Sequence, residues 1–247
     1  RYVEDAWAFL KATAGFHPLD PHSGLAELNL EDGPDGPKER LRILYSRDLG
    51  RFPVEKRVVE RVEDVVRKLE GFGHRVYELA QDLPDLERAW WTYMAMDLAF
   101  QLGRELEEKR AQLNRAMVKS IEEVLGLRIG DLEDVREARA QFYLRIQGLF
   151  EMADILITPT TPTAAFAAEG PPPESIEGKA VRLLDVVAFT YPFNLTGHPA
   201  MNIRAGLTEE GLPVGLQLVA PLMREDLLVR LGFELQEGLG LHTRWPN

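Results

Sequence analysis

Nucleophilic catalysis makes the sharpest demands on a sequence. A hydroxyl or thiol needs a base within hydrogen-bond reach, and small neighbours that let backbone N–H groups close on an oxyanion. The candidates are Ser23, Ser46, Ser120 and Ser175, and there is no Cys. None of these serines stands in a Gly-x-Ser-x-Gly elbow; Ser46 ends an apolar run and Ser175 lies in a Pro-rich stretch. The residues supply no self-contained triad. His17 and His22, five apart with Asp20 between them, have a spacing that could hold zinc, yet histidines in such loops are ordinarily solvated. His74, His198 and His242 are isolated. The Gly71-Phe72-Gly73 turn follows a helical pattern, whereas a dinucleotide loop opens one. The carboxylates between Glu105 and Arg110 have basic neighbours at helix spacing and read as a solvated face. No metal, no cofactor and no catalytic residue are expected in this chain.

Composition narrows the classes further. Apolar residues make up 45% and charged residues 28% of the 247, with a formal net charge of -11. Those proportions match an ordinary soluble globular protein. The acidic balance and the lack of a Lys/Arg run argue against direct nucleic-acid binding. No uninterrupted apolar run approaches the eighteen or so residues of a membrane helix. The absence of Cys leans towards the cytoplasm. Arg far outnumbers Lys, which together with 16 Pro fits a thermophile or a GC-rich genome. The first residues carry no apolar signal core and no initiating Met, as expected of a processed chain or one cut from something longer.

The elements that must position any site follow from periodicity. Val3, Ala6, Trp7, Leu10 and Ala14 form a helical stripe that Gly15 stops. Residues 16–37, rich in Pro, Gly and Asp, read as loop. Leu41 to Tyr45 is strand-like, Val58 to Leu69 is a helical stripe, and His74 to Leu79 is a second strand; that order predicts a parallel pair. Residues 86–150 read as helical throughout, broken near 126–131. Asp154 to Ile157 is a further strand, residues 164–180 an irregular loop, and residues 181–189 a short helix. Met201 to Ala205 and Val214 to Ala220 read as strands joined by Thr208-Glu209-Glu210-Gly211, and residues 225–238 as a closing helix. The residues alone reach a soluble, acidic α/β protein.

Two segments carry more. Asp154-Ile-Leu-Ile-Thr-Pro-Thr-Thr-Pro-Thr-Ala-Ala-Phe166 is the first. The second is Thr190-Tyr-Pro-Phe-Asn-Leu-Thr-Gly-His-Pro-Ala200 with Gly211-Leu-Pro-Val-Gly-Leu-Gln-Leu-Val219. Together they resemble the C-terminal half of the amidase signature family, which includes small-molecule amidases and the A subunits of aminoacyl-tRNA amidotransferases. The likeness extends over nearly the whole chain. Arg1 to Pro21 resembles the helix and loop after the family's catalytic core, and Leu41 to His74 its next strand-helix-strand unit. The resemblance implies a mixed β-sheet flanked by helices, with a helical layer. It further implies that residues 1–247 are the C-terminal part of a single domain. The family's Lys, bridging Ser and nucleophilic Ser lie in a Gly/Ser-rich core upstream, and nothing here matches it. The full enzyme is then expected to cleave the C–N bond of a small-molecule carboxylic amide through a Ser acyl-enzyme. Its expected partners are the small-molecule amide substrate and the rest of the domain, with a homo-oligomer left open.

The same resemblance names residues for a pocket wall. Arg139, fifteen residues before Asp154, matches an Arg linked to substrate carboxylate in the amidotransferase subunits, and a guanidinium suits that bidentate task. Trp91 and Tyr93 lie where the family places pocket aromatics, and Thr190 and Phe193 belong to the second segment. Core packing is the more common fate of Trp91, Tyr93, Thr190 and Phe193, and the plain alternative for Arg139 is a surface helix position. Asn194, Thr196 and Gly197 suit a tight buried turn with side-chain amides serving backbone groups. Two departures stand out. Val187 stands seven residues before the Asn-Leu pair, where amidotransferase subunits tend to have Asp, and Asp185 stands nine before. That weakens a glutamine pocket. After Pro199-Ala200 the chain reads Met201 where many members have Pro. The alternatives are a glutamine-using amidotransferase A subunit or a non-catalytic scaffold.

Overall fold

The computed structural model describes residues 2–20, 23, 28, 30, 33 and 39–240. In chain order these form α1 (Val3–Thr13), β1 (Arg42–Tyr45), α2 (Lys56–Gly71), β2 (Arg75–Glu78), α3 (Glu87–Leu102), α4 (Leu106–Lys109), α5 (Arg115–Leu125) and α6 (Ile129–Phe150). There follow β3 (Ile155–Pro159), β4 (Ser175–Ile176), β5 (Lys179–Ala180), α7 (Tyr191–Thr196), β6 (Ala200–Leu207), β7 (Pro213–Val219) and α8 (Glu225–Gly238). Two compact units result: Arg1–Asp82 with Gln147–Asn247, built on a sheet, and Leu83–Ile146, built of helices. No helix among the described residues is long and apolar enough to cross a membrane.

The sheet runs β2-β1-β3-β7-β6. β2, β1 and β3 are parallel, while β7 and β6 turn antiparallel. A parallel neighbour needs a long crossover, and α2 supplies it between β1 and β2. Val58, Val62, Val65 and Leu69 recur at helical spacing on one face of α2, all at 1% exposure or less. They pack with Ile43, Tyr45, Ile155, Ile157, Leu216 and Leu218 of the sheet and with Leu228, Leu231 and Leu235 of α8. Each such side chain contributes about 1.5–3 kcal/mol by leaving water. β3 lies in the middle and is buried along its length, which is why Ile155-Leu156-Ile157 is an unbroken apolar run rather than an alternating one. The Arg42 guanidinium reaches across to Asp154 at 2.8 Å, and the Asp154 carboxylate also accepts the Arg42 backbone N–H at 2.8 Å, fixing where β1 and β3 start.

Helix α1 docks on α8. The Val3 N–H, left free by the helix start, donates to Gln236 Oε1 at 2.8 Å, and Trp7 meets Phe233 edge-on at 5.9 Å. Gly232 makes this approach possible: a Cβ there would lie 2.8 Å from Met201 Sδ and 3.2 Å from Val3 Cγ1. Met201, the departure at a position where Pro is common, therefore fills the space beneath that glycine.

Three local expectations are corrected. The segment 164–180 is not wholly irregular, because Ser175–Ile176 and Lys179–Ala180 pair as a small hairpin around Glu177 and Gly178. Residues 181–189 contain a 3-10 turn at Leu183–Val187 rather than an α-helix. Asn194 is exposed and forms part of α7; the Thr196 hydroxyl, not a side-chain amide, serves the local carbonyls. Pro192 sits in the first turn of α7, where its missing N–H costs nothing.

The helical unit has its own small core of Leu106, Val118 and Ile121, flanked by Leu98, Ala99, Leu102 and Leu113. Asn114 starts α5 by accepting the Met117 N–H at 2.9 Å, the N-cap geometry. The chain breaks at 126–128 as the sequence indicates, and breaks also between Leu102 and Arg115, where the short α4 is bracketed by 3-10 turns. Lys109 pairs with Glu105 at 2.5 Å and Arg110 with Glu107 and Glu122 at 2.6 and 2.7 Å. The mixed run is thus a solvated, ion-paired face.

Candidate functional site

The parallel strands β1 and β3 end side by side at Tyr45 and Pro159, and open α/β sheets tend to form pockets outside such ends. Two loops leave there and are tied together: the Glu55 N–H donates to Pro162 O at 2.8 Å, and the Ala164 N–H donates to Glu55 Oε2 at 3.0 Å. One row across the sheet is polar. Thr158, Gln217 and Asn202 stand in register on β3, β7 and β6. Gln217 is 1% exposed and Thr158 fully buried. Gln217 Nε2 donates to Thr158 Oγ1 at 3.2 Å and to the Phe189 carbonyl at 2.6 Å, and the Thr158 hydroxyl donates to Pro159 O at 2.8 Å. Two residues beyond Thr158, Thr160 Oγ1 donates to Asn202 Oδ1 at 2.9 Å. Gly215 leaves room for this threonine, since a Cβ there would lie 2.5 Å from Thr160 Oγ1. The Leu-Pro-Val-Gly-Leu-Gln segment is therefore a strand whose glycine admits Thr160 and whose glutamine reaches both Thr158 and Phe189.

Phe189 leads into the second segment. Its ring is buried and tilts against Phe52 at 6.1 Å. Thr190 is half-buried and donates its hydroxyl to Val187 O at 3.0 Å; Phe193 is 1% exposed, with its N–H on Thr190 O at 3.2 Å. Thr190 and Phe193 thus share the first turn of α7. Gly197 closes that helix in the left-handed region at φ 77°. The buried His198 follows, with Nδ1 at 2.8 Å from Thr196 Oγ1 and its ring 5.6 Å from Phe150. Burial pulls the His198 pKa down to about 4, so the imidazole is neutral at physiological pH. Asp185 is buried and holds the start of its own 3-10 turn: it accepts the Arg182 N–H at 2.8 Å and the Arg182 guanidinium at 3.0 Å.

Arg139, Tyr93 and Trp91 belong to the helical unit. The Arg139 guanidinium lies over the Tyr93 ring at 5.5 Å, bringing together two of the expected residues across α6 and α3. Trp91 is two residues from Tyr93 on the same helix, a turn of about 200°. It lines a separate groove of about 360 Å³ with Thr92, Ala95, Ser120 and Val124. The three residues expected to share one wall therefore divide between two sides of α3. The residues that sequence reading missed are Gln217 and Thr158. Their signal was a polar residue at an otherwise apolar strand position, Gln217 between Leu216 and Leu218, where burial forces a hydrogen-bond partner.

The serines are occupied locally. Ser46 Oγ accepts the Leu49 N–H at 3.0 Å, Ser120 Oγ donates to Ala116 O at 2.8 Å, and Ser23 Oγ donates to Asp20 O at 2.8 Å. Ser175 lies exposed on β4. His17 accepts the Leu19 N–H at 3.3 Å; His22 and His242 lie outside the described residues. Among the described residues no group of three or more His, Asp or Glu side chains could hold a metal ion.

Comparison with known proteins adds a lineage to this geometry. The family model described as Amidase matches residues 1–229. An acylamidase of Rhodococcus erythropolis is 28% identical over 236 residues, 93% of this chain and 49% of that protein. The A subunit of a glutamyl-tRNA(Gln) amidotransferase from Cyanothece sp. is 35% identical over 101 residues, 41% of this chain and 20% of that protein. The crystal structure of a bacterial aryl acylamidase of the amidase signature family superposes with a TM-score of 0.83 at 22% identity, over 96% of this chain and 51% of that one, a likeness of fold. The chain thus spans about half the length of the acylamidase it matches.

Proposed function

This chain belongs to the Amidase family, and from that premise we propose that the full protein hydrolyses the C–N bond of a small-molecule carboxylic amide through a serine acyl-enzyme. Residues 1–247 are then the C-terminal part of one amidase-signature domain. The Ser-Ser-Lys machinery comes from a Gly/Ser-rich core that precedes it in the whole protein. The observation that carries this reading is a pairing. The family model matches 1–229, while the serines whose bonds are described, Ser23, Ser46 and Ser120, serve neighbouring backbone groups. A nucleophile needs its hydroxyl directed at a base.

In this reading the chain shapes the pocket. In the sheet unit Thr190 and Phe193 are the substrate-facing candidates; within the helical unit, taken by itself, Arg139 and Tyr93 offer a cation over an aromatic ring to a carboxylate or acyl group, and Trp91 contributes apolar surface. The substrate is a small amide, held without a cofactor. The protein works in the cytoplasm, which the lack of Cys supports, and it acts as one continuous enzyme or as a homo-oligomer. The alternative, an amidotransferase A subunit releasing ammonia from glutamine, draws on the amidotransferase relative. Against it, Val187 is apolar and the Asp185 carboxylate is engaged by Arg182, leaving no carboxylate free at this turn for a glutamine amine. Steady-state assay of the full-length protein on aryl and aliphatic amides, with glutamine in parallel, tests the two. Turnover of simple amides without a partner is expected; ammonia release from glutamine alone, dependent on a partner protein, would replace the first reading with the second.

A further inference from the structure

We propose that Gln217 is a positioning residue of the amide-cleaving site, one that holds the Thr190–Phe193 wall in register on strands β3 and β7; this rests on the amidase reading above. The carboxamide NH2 has two hydrogens and both are spent: one on the Phe189 carbonyl at 2.6 Å, one on Thr158 Oγ1 at 3.2 Å. Thr158 passes its own hydrogen to Pro159 O at 2.8 Å, so its oxygen is left to accept. The direction of the chain is therefore fixed, and flipping the amide would set its oxygen against two acceptors. At 1% and 0% exposure for Gln217 and Thr158, water does not compete for these bonds. Phe189 immediately precedes Thr190, and the Thr190 carbonyl accepts the Phe193 N–H at 3.2 Å. The grip on the Phe189 carbonyl is thus a grip on the first turn of α7. It comes from the middle of the sheet, where Thr158, the next-to-last residue of β3, meets Gln217 in register.

The chemistry offers a test that simple packing does not. In Gln217→Glu a carboxylate replaces the donor and faces the Phe189 carbonyl. When protonated it regains one hydrogen, enough for the 2.6 Å bond and not for both. Gln217→Leu offers none at any pH, and Thr158→Val, close in shape, removes the 3.2 Å contact together with the Thr158–Pro159 bond while leaving the bond to the Phe189 carbonyl. The full-length enzyme and these three variants would be assayed from about pH 5 to 8.5 on two amides, one with a bulky acyl group and one as small as acetamide. Hydrogen exchange of residues 190–197 would be followed in parallel.

Gln217→Leu is expected to raise KM for the bulky amide tenfold or more, with the small amide changed less than threefold, and to speed exchange in 190–197 selectively over β3 and β7. Gln217→Glu should match it near pH 8 and recover at least threefold towards pH 5. Thr158→Val should move both readouts in the same direction by a smaller factor. Unchanged exchange in 190–197 for both Gln217 variants overturns the proposal whatever the activity. Equal losses on both amides with no acid-side recovery in Gln217→Glu overturn it too, since they mark a general packing defect. A wild-type enzyme that turns over no amide overturns the amidase reading instead, and the exchange rates then still decide whether Gln217 holds the segment.

Discussion

At the scale of single residues, His198 and Tyr45 show how burial sets chemistry. Thr196 Oγ1 lies 2.8 Å from His198 Nδ1 and 3.2 and 3.3 Å from the Pro192 and Phe193 carbonyls, so the imidazole sits in a buried, locally bonded turn. Burial holds this histidine near a pKa of about 4 against an ordinary 6.5. The sign follows from which state takes the proton. Below pH 6.5 the unfolded chain protonates and the folded one does not, so stability from this group is full above 6.5 and is lost as pH falls towards 4. The loss amounts to about 3 kcal/mol. Urea denaturation of wild type and His198→Phe at about pH 7.5 and 4.5 checks it: the variant should lack this share of the acid destabilisation, and equal pH dependence would refute it. Tyr45 is 5% exposed and its hydroxyl has no partner among the described residues. Burial, with Glu63 near it, pushes the phenol pKa up, so the group stays neutral. Removing an unpartnered buried hydroxyl relieves a desolvation cost. Tyr45→Phe is therefore expected to leave stability equal or raise it by about 1 kcal/mol, and a loss of about 2 kcal/mol in the same denaturation assay would reveal a bond to that oxygen.

At the scale of elements, α7 is a helix of six residues that depends on its ends. Gly197 leaves it at φ 77°, a conformation a Cβ resists by about 1–2 kcal/mol, and nothing lies within 4 Å of where that Cβ would stand. Gly197→Ala should therefore cost about 1 kcal/mol by backbone conformation alone, read as a Tm shift of a few degrees. Gly197→Asn should cost less, since Asn tolerates the left-handed region. A loss equal for Ala and Asn would trace the effect to something other than φ. The same element marks the limit of what the sequence made legible. Strands β1, β3 and β7 and helices α2 and α8 announced themselves through apolar runs or through stripes at helical spacing. In α7 the length is below two turns and Pro192 reads as a breaker, although a first turn accepts it. The β4–β5 hairpin was hidden for a similar reason: two-residue strands have no periodicity to read. Of the candidate site, the segments were legible and the contacts were not. Trp91 and Tyr93 look like one aromatic pair in sequence, but helix geometry turns them apart, and the Arg139 guanidinium lies over the Tyr93 ring.

At the scale of the whole molecule, the expected wall residues fall in two compact units, Thr190 and Phe193 in the sheet unit and Arg139, Tyr93 and Trp91 in the helical one. The sheet has β2 and β6 as its edges among the described residues. β6 is eight residues long, and an edge of that length presents a row of backbone groups to any strand that can pair with it. If the catalytic core precedes this chain in the whole protein, residues 1–247 expressed alone should turn over no amide, while the full-length enzyme does. The isolated chain should also associate as its concentration rises. Light scattering over a roughly hundredfold concentration range, alongside the amide assays, measures both. Turnover by the purified 247-residue chain would place a nucleophile among its own side chains, and Ala substitutions at Ser23, Ser46, Ser120 and Ser175 would then test the four serines. A chain that stays monomeric throughout would mean that β6 is protected by its own twist and side chains, and the half-domain reading would lose its physical support.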